Sequence, residues 1–221
     1  MRRIVFPFLL GMLLITVASP VAAANPHDRQ SNSHDGFWAD ASWDTCFPEL
    51  AETCTSIYLY AFSGDRSDTF AGRPTRSSVE ELCYSLNTYD PIGGHEGPFT
   101  FTGGCAAATI TFADDLSAAT ATATIPLETC TFDPATGTET CTSAGSVQAS
   151  VTWTAVGPLE EFRDQYKNTT TVNGMTCTQM FLIDGTRRFA TATATVDGVA
   201  LGDAYFASIN EGQGHSSSSC R

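Results

Sequence analysis

The sequence predicts an all-β chain: an antiparallel β-sandwich or flattened barrel with one short helix, stapled by disulfides. Three observations carry this. Short stretches alternate apolar with polar residues at a period of two, as in "SVQASVTWTAV" (146–156). Turn-forming residues recur every 8–15 positions or so, the spacing of a sandwich or barrel. Eight cysteines, an even number, follow a segment that reads as an export signal.

That segment opens the chain. Arg2 and Arg3 form a basic start, Ile4 to Val17 is mostly apolar, and Val21-Ala22-Ala23 offers a small-residue cleavage site. The apolar run falls short of the 20 residues or so that a membrane span needs. Residues 1–24 are therefore expected to be a secretory signal peptide on the general export route. The polar stretch 25–36 is expected to be a disordered lead-in, and 37–221 a single disulfide-bonded β domain. The expected location is secreted, extracellular or periplasmic.

Within the domain, Phe37, Trp38, Trp43 and Phe47 arrive together near Cys46. They are either an aromatic patch for a ligand or the point where the chain docks onto its core, and docking is favoured because aromatic rings carry much area inward. "CTSIYLYAF" (54–62) is apolar on both faces of a strand. Residues 64–76 read as a loop. Ser77 or Ser78 followed by Glu80 and Glu81 could box a helix start, and Val79, Leu82, Cys83 and Leu86 form one apolar stripe, which predicts the short helix at about 78–87. The loop "NTYDPIGGHEGPF" (87–99) follows.

Strand patterns then dominate. "FTFTGGCAAATITF" breaks at Gly103-Gly104, and Pro126 marks a strand edge or end. "ETCTF" and "TETCT" flank Asp133-Pro134-Ala135-Thr136-Gly137, a hairpin loop that predicts a Cys130–Cys141 disulfide. The pairings of Cys46, Cys54, Cys83, Cys105, Cys177 and Cys220 stay open. Residues 159–171 are read as a strand turning at Asn173-Gly174, and Asp184-Gly185 and Asp197-Gly198 as further hairpin turns.

"ATATATI" (119–125) and "ATATATV" (190–196) write one alternation twice. On a strand, alanine takes one face and threonine the other. Small alanines let a second layer approach, and threonines suit the extended backbone. The flanking residues differ, so this is not a duplication. Outward threonines in TxT spacing can order water and dock on ice or a crystalline polymer. β-solenoid ice-binding proteins repeat that pair at a fixed short period, however, and no such period occurs here.

Charge excludes some functions. Against 11 Lys+Arg stand 24 Asp+Glu, a formal net charge of −13. Such a chain repels phosphate backbones and anionic lipid surfaces, so neither nucleic acid nor membrane is an expected partner. There is no GxSxG elbow, no HExxH and no phosphate-cradling glycine loop. No cofactor, metal or catalytic residue is assigned. Of the histidines (His27, His34, His95 and His215), His95 in "GGHEG" is the one whose loop could do acid–base work.

The expected function is thus an extracellular binding or structural module for an unknown ligand, polysaccharide or protein. Trp38, Trp43 and His95 are its candidate ligand-binding residues. A small secreted hydrolase using the His95 loop, and an inhibitor of a partner enzyme, are the alternatives.

Overall fold

The computed structural model describes residues 29–46, 54–70, 73–89, 99–133, 138–172 and 175–220. These hold eleven β-strands and no helix: β1 (Arg29–Asp44), β2 (Cys54–Phe70), β3 (Arg73–Tyr89), β4 (Phe99–Ala107), β5 (Thr109–Phe112), β6 (Ala118–Asp133), β7 (Thr138–Ala155), β8 (Glu160–Val172), β9 (Met175–Val196), β10 (Val199–Asp203) and β11 (Phe206–Cys220). All pairings are antiparallel. β1 pairs with β2, β2 with β3 and β3 with β4. β4 and β5 lie in turn along one edge of β6, which pairs with β7 on the other. β7 pairs with β9, β9 with β11, and β11 with β1. The hydrogen-bonded circuit therefore returns to its start. β8 extends the β9 edge that β7 uses, and β10 extends the opposite one.

One core fills the circuit. From β1 and β2 come Ala39, Ala41, Trp43, Leu59 and Ala61, and from β6, β7 and β9 come Ala121, Ile125, Val151, Trp153, Ala192 and Ala194. The alanines of both ATATAT stretches point into it, as alternation requires. Two contacts cross it. Trp153 Nε1 donates to the Asp40 carbonyl oxygen at 3.0 Å, and the Phe37 and Phe112 rings stack at 5.5 Å. An indole bonded to the backbone of the facing strand sets a narrow interior.

The helix expected at 78–87 is instead part of β3, paired along its whole length with β2. Its helical stripe divides on a strand. Leu82 and Leu86 turn into the main core, while Val79 packs in a second cluster with Trp38, Phe62 and Ile183 on the other face. Both faces of β3 find apolar partners, so the local capping signal is overridden by the sheet.

Other expectations shift in the same direction. The stretch 29–36, assigned to the lead-in, is strand held between β2 and β11; 25–28 lies outside the described residues. Residues 64–70 and 73–76, read as loop, complete the β2–β3 hairpin. Asp184-Gly185 is no turn but the middle of the 22-residue β9. Asp197-Gly198 does turn, with φ of 50° and 77°. Pro126 sits where the β6–β7 register shifts, which accommodates its missing N–H.

Disulfides join Cys46 to Cys54, Cys83 to Cys105 and Cys130 to Cys141. Cys177 is also disulfide-bonded, and Cys220 lies opposite it in the β9–β11 ladder. Such cross-links are typical of chains that fold in oxidising compartments.

Candidate functional site

The outer face of β1, β2, β9 and β11 gathers the polar groups of most interest. Strand register builds the cluster. Asp40 stands opposite Tyr60 on one side and Ser208 on the other. Ser208 stands opposite Phe189, and Asn210 opposite Arg187, which in turn faces Glu160 of β8. One row further along, Ser42 lies between Tyr58 and Phe206.

Hydrogen bonds tie these residues together. Ser208 Oγ donates to Asp40 Oδ1 at 2.5 Å. Asn210 Nδ2 donates to Ser208 Oγ at 2.8 Å and reaches Asp40 Oδ1 at 3.4 Å. Ser208 and Asn210 are buried, while Asp40 keeps some exposed surface. Burial pushes the Asp40 carboxyl up to about 6, against the opposing effects of the Ser208 and Asn210 hydrogen bonds and the Arg187 charge. Burial, with the Asp40 charge nearby, also raises the Tyr58 phenol, and burial raises Tyr60. Both tyrosines keep their protons at neutral pH and remain hydrogen-bond donors.

Arg187 lies between two rings, 5.4 Å from the Phe162 centroid and 5.0 Å from that of Phe189. Its nearest acid is Glu160, with Nε to Oε2 at 3.6 Å, and Nε is buried without a hydrogen-bond partner among the described residues. Phe189 meets Phe206 edge-to-face at 6.2 Å. Phe206 is 42% exposed and its neighbour Tyr205 47%. Aromatic surface thus borders a bonded carboxyl, amide, hydroxyl and guanidinium.

The residues singled out in the sequence fall elsewhere. Trp38 and Trp43 are core: they are 5% and 7% exposed, Trp38 in the smaller cluster and Trp43 in the larger. Their rings offer no outward stacking surface, as docking onto the core requires, while Phe47 of the same group lies outside the described residues. His95 and His27 lie outside the described residues. His34 lies over Gly214, edge-on to Trp38 and Phe62 at 5.8 and 5.9 Å. Burial lowers its pKa, helped by the Arg66 charge and opposed by Asp35. No sequence pattern picks out Asp40, Ser208 and Asn210. Asp40 lies 168 and 170 positions from Ser208 and Asn210 along the chain, and only the β1–β11 ladder joins them.

Two other places gather polar side chains. A groove of about 480 Å³ runs by Asp35, Asp65, Asp184, Gln213 and His215. Two of its acids are already engaged: Arg76 pairs with Asp65 at 2.6 Å, and Gln213 donates to Asp184 at 3.4 Å. The groupings Asp44–Cys46–Cys54 and Glu128–Cys130–Cys141 have metal-site spacing, but their sulfurs are in disulfides and supply no thiolate.

Compared with known proteins, the chain matches no family model, no curated protein and no solved structure.

Proposed function

We propose that this chain is a secreted binding module, built as a flattened antiparallel barrel, and that the Asp40 surface takes a neutral, hydroxyl-rich ligand of the saccharide class. The carrying observation is the bonded Asp40–Ser208–Asn210 network bordered by the exposed rings of Tyr205 and Phe206. Sugars present hydroxyls that both donate and accept, together with apolar ring faces. Asp40 supplies an acceptor, and Tyr58, Tyr60 and Arg187 supply donors. Phe206 and Tyr205 supply the flat apolar area on which a ring stacks. The barrel reading is supported by the closed pairing circuit and the narrow alanine-lined interior. The disulfides and the signal-like first 24 residues support secretion.

Co-sedimentation with chitin, cellulose and insoluble cell-wall preparations tests this. Saturable binding to one of them is expected, weakened about tenfold in Phe206→Ala, since a stacked ring contributes roughly 1 kcal/mol beyond its burial. Binding to none of these solids, or binding indifferent to both Phe206→Ala and Asp40→Asn, would remove the proposal.

A further inference from the structure

The outward threonines form a second surface, which begins on β9 at Thr191, two residues beyond Phe189. Register aligns them across four strands. Thr111, Thr120, Thr152 and Thr193 stand in one rank on β5, β6, β7 and β9. Thr109, Thr122, Ser150 and Thr195 stand in the next, and Thr154 faces Thr191 in a third. All nine threonines are exposed. The ranks hold no charged side chain and no aromatic ring, in a chain of net charge −13. Asp203 stands opposite Thr193 at the rim on β10.

A second observation separates these threonines from the others. Elsewhere, cross-strand threonines satisfy each other: Thr100 with Thr131 at 3.0 Å, Thr102 with Thr129 at 2.8 Å, and Thr171 with Thr176 at 3.0 Å. In the array, Thr191 alone bonds within the protein, to the Thr154 carbonyl oxygen at 3.4 Å, and the remaining hydroxyls have no partner among the described residues. They face outward uncommitted.

From this array we infer that the β5–β6–β7–β9 face binds the ordered water of an ice surface. Strand geometry places neighbouring hydroxyls about 4.8 Å apart across strands and about 6.8 Å apart along them. Each hydroxyl both donates and accepts, as each water of a lattice does. Each of the nine threonine hydroxyls has a methyl beside it, and a β-branched side chain is stiff at χ1, so little freedom is lost on docking. A soluble ligand would touch one or two ranks. A target that itself repeats in two dimensions engages all of them at once, and weak contacts add. The lack of charge and of rings removes the means by which a face grips a polyanion or stacks on sugar, which favours a water lattice over a crystalline polysaccharide.

The test is partition of the purified protein into slowly growing ice, alongside co-sedimentation with crystalline cellulose and chitin. Wild-type protein is expected to enrich in the ice fraction. Thr152→Lys and Thr193→Lys should lower that enrichment at least tenfold, and Thr152→Val, which keeps the β-branched shape, should lower it too. Thr176→Lys, outside the array, and Phe206→Ala should leave it unchanged. An unchanged melting temperature identifies variants that fold. No enrichment of wild-type protein, or enrichment that survives both lysine variants, overturns the inference. Adsorption to cellulose or chitin that depends on Thr152, in place of ice, overturns it equally. Because Phe206→Ala probes only the Asp40 surface, failure here leaves the saccharide proposal standing, and the reverse holds.

Discussion

The rings of Trp38 and Phe162 meet edge-to-face at 6.1 Å, although their strands, β1 and β8, are separated by β11 and β9. Three strand spacings in a flat sheet come to about 14 Å. The rings close this gap by leaning over residues without side chains. Gly64, Gly36, Gly212 and Gly185 stand in one rank across β2, β1, β11 and β9, and Phe162 ends it. A Cβ on Gly185 would lie 2.8 Å from the Gly212 Cα and closer still to the Glu211 carbonyl oxygen. The glycine rank leaves the space over which the second cluster packs, with Arg187 lying between Phe162 and Phe189.

Gly185→Ala should therefore cost about 1–3 kcal/mol, the usual penalty for forced overpacking. A drop in the urea midpoint measures it. Gly157→Ala is the control, because its Cβ would meet Phe189 at an ordinary 3.6 Å. It should stay within about 0.5 kcal/mol of the parent.

Trp153 spans the main core to the Asp40 backbone. Trp153→Phe keeps most of the apolar volume but leaves that carbonyl short of a donor. The expected loss is roughly 1–3 kcal/mol, with no change of fold by circular dichroism. A neutral result would mean that the indole hydrogen bond does not brace the two sides of the core.

Much of this architecture is legible in the sequence, for a simple reason. Period-two alternation is local, so "SVQASVTWTAV" declares both its strand and its inward face, and the hairpin around 133–137 declares that Cys130 will face Cys141. The misread segments are those where local chemistry and sheet context disagree. Ser78 and Glu81 carry helix-capping chemistry but lie on β3. Gly64 and Gly185 carry turn chemistry but stand in mid-strand, where close backbone approach demands glycine. The Asp40 cluster is illegible for another reason. Its members are ordinary polar residues on four strands, and only long-range register makes them neighbours.

The raised Asp40 pKa has a pH consequence with a definite sign. The folded state holds the proton until about 6, whereas the carboxyl ordinarily titrates near 3.8. This contribution to stability is fully present below about pH 4 and is lost as pH rises through about 6, by at most about 3 kcal/mol. Asp40→Asn should flatten the dependence of the melting temperature on pH across that window. A wild-type profile already flat there would contradict the assignment.

Cys83 and Cys105 close a loop of sequence separation 22 between β3 and β4. Replacing both with alanine should lower stability by about 3 kcal/mol, as expected from the entropy that the cross-link removes from the unfolded chain. Thermal melts of the oxidised parent and the double variant measure it.

The most direct test of the saccharide-binding surface is a titration of isotopically labelled protein with soluble oligosaccharides, followed by backbone amide chemical shifts. The account predicts that perturbations gather on Asp40, Tyr58, Tyr60, Arg187 and residues 205–210, and that they vanish in Phe206→Ala. Shifts concentrated instead along the Asp35–Asp65–Asp184 groove, or no shifts with any oligosaccharide, would contradict it.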